Sequence, residues 1–234
     1  MPAIDGSSES TNLVPPSNLK PSYMNLINNS AAVIFNGIII YCCFRDGVSL
    51  FSFHPILMSI GWLIFMCSAV NAVTPGDFAT EWMPIRLRSA RHWVLQLVAA
   101  TVILTGFIII LINKIINDKP HFVSLHAKFG LAAIIFTFLT SLGGLTTLYS
   151  LKLKDYMAPI YIKVIHASVG LITLCLGVIT IVLGNFSKWW SFGEVLRFLS
   201  IILVLIVLTL TILRPTLKVY FRLKERFGYV SSNY

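Results

Sequence analysis

Ser49 to Val73 reads SLFSFHPILMSIGWLIFMCSAVNAV, twenty-five residues without one charge. At 1.5 Å per residue, a helix of that length crosses the ~30 Å hydrocarbon core of a bilayer. Its one imidazole, His54, stands one to two turns from the start. An ionisable side chain inside a membrane span is expensive to keep there and marks a functional site by default. The arrangement recurs outward along the chain. His92 opens RHWVLQLVAATVILTGF, His126 lies near the start of FVSLHAKFGLAAIIF, and His166 sits within PIYIKVIHASVGLITLCLGV. Four apolar spans in succession each carry one histidine near their beginning.

The rest of the chain fits the same class. Of 234 residues 56% are hydrophobic and 12% charged, with a mean hydropathy of +0.82, a composition of integral membrane proteins. The net charge of +9 does not point to nucleic acid, because the basic residues collect at span ends, where they set topology and meet anionic head groups. The four cysteines include no C-x-x-C pair. A disulfide framework and a zinc site are therefore unsupported, and small buried apolar residues are the expected role.

The predicted fold class is an all-α integral membrane protein with six transmembrane helices, of which spans two to five form a four-helix core. The spans fall at about 23–44, 48–73, 92–112, 122–148, 159–184 and 195–213. The first is interrupted by Asn25, Asn28, Asn29 and Asn36, yet AAVIFNGIIIYCCF still favours insertion. Residues 1–22, rich in Ser, Pro and Asn, read as a disordered tail. Residues 214–234 form a basic tail that suits either a helix on the membrane surface or a solvated segment.

Orientation follows from counting Lys and Arg in the loops. The N-terminal tail, loops two–three and four–five, and the C-terminal tail hold twelve, against four on the other side. Both termini are thereby expected in the cytoplasm. Spans two and four then begin at the outer face, and spans three and five at the cytoplasmic face. Depth pairs His54 with His126 near the outer side and His92 with His166 near the inner side. Two imidazoles facing each other across a helical bundle supply the axial nitrogens of a bis-histidine haem. Gly130 and Gly170 each lie one helical turn after a histidine, and Gly61 two turns after His54, positions that would clear room for a flat macrocycle. The intervals from His54 to His92 and from His126 to His166, 38 and 40 residues, read as two parallel repeats. His121, in a loop, reads as a solvated residue.

Histidines placed this way in ~30 Å spans leave two irons roughly 20 Å apart. The soluble segments are too short for a flavin or nicotinamide domain, and no G-x-G-x-x-G follows a strand. Electrons must arrive from a diffusible molecule or another protein. Arg86, Arg88, Arg91, Lys152, Lys154 and Lys163 ring the cytoplasmic entrance and would attract a small anionic reductant.

The segments SLFSFHPILMS, RHWVLQL, SLHAKFGL and KVIHASVGL resemble the four histidine segments of the cytochrome b561 family, in particular its short six-span branch of transmembrane reductases. The resemblance covers about 48–184. It implies two b haems, one shared by spans two and four through His54 and His126, the other by spans three and five through His92 and His166. It also implies cytoplasmic ascorbate as electron donor, and monodehydroascorbate or ferric iron as acceptor on the lumenal or outer side. In the family pattern, basic residues shortly before the first cytoplasmic histidine hold ascorbate. Arg86 lies six before His92, but Ala90 stands two before it, with Arg88 and Arg91 alongside; Lys163 completes the candidate donor contacts. On the acceptor side His121 and Lys119 are the candidate contacts. A haem-bearing anchor subunit of a redox complex and a histidine-based proton or metal transporter are the rival classes; the transporter would call for acidic partners inside the spans, and there are none. A homodimer is compatible with these features. An endoplasmic-reticulum or other endomembrane setting is preferred to the plasma membrane.

Overall fold

The computed structural model describes residues 23–74 and 82–231, so the expectation for residues 1–22 falls outside it. Among the described residues the chain is helical throughout: α1 Tyr23–Phe44, α2 Leu50–Ala72, α3 Ile85–Ile116, α4 Leu125–Leu148, α5 Pro159–Asn185 and α6 Glu194–Ser231. All six are long and apolar enough to span a bilayer, as the composition requires. A lipid-exposed chain must satisfy its backbone internally, and uninterrupted helices do so.

Local sequence sets the helix starts. Ser49 caps α2, its hydroxyl accepting from the Ser52 backbone, while the Ser52 side chain accepts in turn from the Ser49 amide. Ser124 caps α4 by accepting from Ala127, and Pro159 occupies the first turn of α5, where its missing N–H costs nothing. Helix α3 differs from expectation. It begins at Ile85 and not near residue 92, so Arg86, Arg88 and Arg91 lie on its first two turns and not in a loop. His92 and His166 are consequently each the eighth residue of their helices. The basic segment after residue 213 is likewise no separate surface element, because α6 runs through Pro215 to Ser231.

Helix α2 widens to π geometry over Ile60–Met66. The bulge lies where Trp62, buried in the core, is seated against Gly177 of α5; a β-carbon added there would stand 2.3–2.6 Å from the indole. The four middle helices form a ring in which α2 packs on α3 and α4 on α5. Helices α1 and α6 pack on each other and brace the ring from the α2 and α5 sides. Three of the four asparagines that interrupt the first span, Asn25, Asn28 and Asn36, are buried, whereas Asn29 is exposed. Asn28 donates to Thr211 of α6 at 3.1 Å, and Asn36 accepts from Ser59 of α2 at 2.8 Å. Such hydrogen bonds tie helices together where lipid supplies no hydrophobic drive.

Candidate functional site

The four span histidines meet as two pairs across the diagonals of the ring. His54 of α2 and His126 of α4 have ring centroids 6.1 Å apart with planes at 88°. His92 of α3 and His166 of α5 have centroids 6.4 Å apart with planes at 90°. These are the pairs that depth alone predicted.

Backbone carbonyls fix the rings. His54 Nδ1 lies 3.0 Å from the Gly106 carbonyl on α3, and His92 Nδ1 lies 2.7 Å from the Ala69 carbonyl on α2. His126 Nδ1 lies 2.9 Å from the Thr180 carbonyl on α5. A carbonyl only accepts, so each Nδ1 must carry the proton, which leaves Nε2 with its lone pair free for a metal. His166 is held more loosely: its Nδ1 is buried without a hydrogen bond of ordinary geometry and makes a weaker approach to the Thr140 backbone of α4. The pattern repeats between the two halves. Helices α2 and α3 hold each other's histidines, and α4 and α5 do the same in outline.

Glycines let the helices come this close. Gly143 and Gly144 stand against the His166 ring, and Gly184 against His126; a β-carbon at any of them would lie 3.3–3.5 Å from a ring atom. Gly61 does something other than clear space for a macrocycle. A β-carbon there would meet Ile103 at 2.5 Å, so it allows α2 and α3 to touch. Gly130 does line the cavity between α2 and α4.

That cavity opens beside the His54–His126 pair. Its floor is apolar, formed by Phe35, Met58, Trp62, Phe107 and Ile134, and its mouth is polar, with Lys114, His121, Ser124, Asn185 and Ser187. Phe122, at the mouth, adopts a left-handed backbone (φ 54°) that bulky residues rarely take, and stacks on Phe107 at 6.3 Å. His121 therefore borders the cavity, whereas Lys119 is exposed on the same loop and is not part of its wall. At the other end, Arg88 donates to the Met83 carbonyl at 2.8 Å, and Arg86 and Lys163 are exposed one to two turns before His92 and His166.

A helical ring that presents two crossed imidazole pairs defines a membrane cytochrome of the b type. The chain belongs to the eukaryotic cytochrome b561 family, whose profile matches residues 53–191. Among its relatives are the transmembrane reductase CYB561D2 of Mus musculus and of Homo sapiens, each 34% identical over 147 residues. The probable transmembrane reductase CYB561D1 of Mus musculus is 26% identical over the same length. The matched region is 63% of this chain and 66% of CYB561D2.

The family implies haem b, and the histidine pairs fit it. Two metal–imidazole bonds of about 2.0 Å, each with about 1.1 Å from nitrogen to ring centroid, add to about 6.2 Å across an iron. The observed 6.1 and 6.4 Å bracket that span. Sequence reasoning missed the carbonyls of Gly106, Ala69 and Thr180, since every residue type has one. It also missed Gly184, Asn185 and Trp62. Only the adjacent glycines at 143 and 144 left a visible mark in the sequence.

Proposed function

We propose that this chain carries electrons across a membrane through two b haems, one held by His54 and His126 and the other by His92 and His166. The observation that carries the reading is the pair of crossed imidazole couples at 6.1 and 6.4 Å, with three Nδ1 atoms tied to backbone carbonyls. Bound haem iron would cycle between the ferric and ferrous states and so supply one-electron transfer.

The protein's own part is to hold, orient and insulate. The carbonyl bonds fix the tautomers of His54, His92 and His126 and raise their basicity as ligands. Trp62 and the apolar floor exclude water from the space between the couples. On the topology that the Lys and Arg count supports, both termini face the cytoplasm, with His92 and His166 on that side. Arg86, Arg88, Arg91 and Lys163 gather positive charge there, which favours a small anion such as ascorbate as the donor. Each turnover takes one electron from the ascorbate monoanion, which releases its proton to the cytoplasmic water and leaves as monodehydroascorbate. The electron leaves at the opposite face to monodehydroascorbate or Fe(III), where the cavity bordered by His121 opens. The reductase names of the relatives support the same direction of chemistry.

The test is a reduced-minus-oxidised absorbance spectrum of the detergent-purified protein after haem-replete expression. Ascorbate is expected to reduce two equivalents of haem b per chain. A colourless protein would remove the haems. A haem protein that ascorbate leaves oxidised would remove the donor and favour a partner-fed anchor subunit.

A further inference from the structure

The loop from α5 to α6 sets one side chain against the supports of both His54 and His126. Phe51 lies one turn before His54 on α2, with ring centroids 6.3 Å apart. Trp189 of the loop packs on Phe51 at 5.9 Å. Its indole Nε1 donates to the Gly184 carbonyl at 3.2 Å. Gly184 is the glycine that lies against His126, where a β-carbon would stand 3.3 Å from the ring. Trp189 thus reaches the His54 side through Phe51 and the His126 side through Gly184. Both Trp189 and Phe51 line the cavity beside that pair.

The end of α5 needs such a tie. Gly184 is the next-to-last residue of α5, and the last four carbonyls of a helix lack donors within it. Glycine is also a weak helix former, so the turn that seats His126 is the kind that frays. Ser187 donates to the Gly184 carbonyl from within the same turn. Trp189 carries the tie across to α2. It is held from behind by Trp190 and Phe192, whose rings lie 5.6 and 6.1 Å from its own. Trp190 is buried and donates to the Gly193 carbonyl, and the Arg45 guanidinium of the α1–α2 turn lies over Phe192 at 5.8 Å.

We propose that Trp189 is a positioning residue that keeps the His54–His126 couple closed, by tying the α5 turn that seats His126 to the α2 turn that carries His54. This rests on the two-haem reading above. A couple that stays closed in both oxidation states passes an electron without making or breaking a bond to the metal, which keeps the step fast.

The experiment is carbon monoxide binding to the purified, haem-loaded full chain, reduced with dithionite, as wild type, Trp189→Ala and Trp189→Phe. Carbon monoxide reaches ferrous haem iron only where an axial imidazole has let go, so its rate of binding reads how often a couple opens. Haem content is measured in parallel, and the bands that remain in a His54→Ala/His126→Ala double variant mark the other haem. In Trp189→Ala the His54–His126 haem is expected to bind carbon monoxide about tenfold faster than in wild type, the order of losing one buried hydrogen bond and one aromatic contact together. The His92–His166 haem should stay as it is. Trp189→Phe, which keeps a ring against Phe51 but no N–H donor, should fall between. If Trp189→Ala loses haem, Trp189→Phe decides on the same criterion. Two retained haems with unchanged carbon monoxide binding, even alongside a lower Tm, would overturn the proposal, as would an equal gain at both haems. Wild-type protein without haem would instead sink the reading on which it rests.

Discussion

The imidazole of His92 is held by the carbonyl of Ala69, 2.7 Å away on the helix that carries His54. His54 is held in return by Gly106 on the helix that carries His92. Each ring is therefore oriented by the helix that bears the other pair's histidine, and the two couples are built on one shared frame. The frame still allows the couples to fail separately, because each has its own two histidines on its own pair of helices.

Replacing His54 or His126 by alanine is expected to halve the haem content, from two equivalents per chain to one, while the band of the other haem persists. Pyridine haemochrome assay against protein concentration measures this. Loss of both haems from a folded variant would show that one couple cannot form without the other.

Gly177→Ala should be the most damaging glycine substitution. The new β-carbon would lie 2.3–2.6 Å from the Trp62 ring, a rigid neighbour in a packed core. Overpacking of this kind costs about 1–3 kcal/mol and should lower Tm by several degrees. Gly37→Ala is the control, with nothing within 4 Å of its added carbon and a gain in helix propensity of about 1 kcal/mol at most. Equal Tm values for the two would contradict the Trp62 seat.

Ser59→Ala removes the donor to Asn36 Oδ1 and leaves a buried carbonyl oxygen bare. Hydrogen bonds between membrane helices contribute about 0.6 kcal/mol on average and about 1.7 at most, so a loss of that order is expected. Adding Asn36→Leu removes the orphaned group and should recover part of it. A double-mutant cycle of thermal or denaturant stability reads the coupling directly, and additive losses would show that the pair is not bonded.

Arg86→Gln should raise the KM for ascorbate several-fold, leave kcat and the haem spectrum unchanged, and flatten the dependence on ionic strength. Arg86 is exposed at the start of α3, where it adds attraction without bearing structure. An unchanged KM would place the anionic donor elsewhere.

Much of this architecture is legible from single residues. The charge-free run from Ser49 to Val73 is a span because bilayer thickness admits few alternatives. The histidines pair by depth because short loops fix where each span begins. Other readings required the fold. The seven residues of α3 before His92 look like loop by composition, since arginines dominate them, yet they are helical and bring His92 level with His166. Asn28 and Asn36 of α1 look like interruptions but are inward contacts to α6 and α2. Gly61 looks like clearance for a macrocycle and is a contact point with Ile103.

By itself, the sequence determined that the chain spans a membrane six times and that four imidazoles lie in two layers. Hydrophobic length and histidine position are local properties, written one residue at a time. The tertiary structure alone decided which carbonyls hold His54, His92 and His126, and which glycine faces an imidazole and which a neighbouring helix. Those outcomes depend on how helices rotate about their axes and press together. Rotation is set by the sum of many side-chain contacts across the ring, and no single stretch of the chain encodes it.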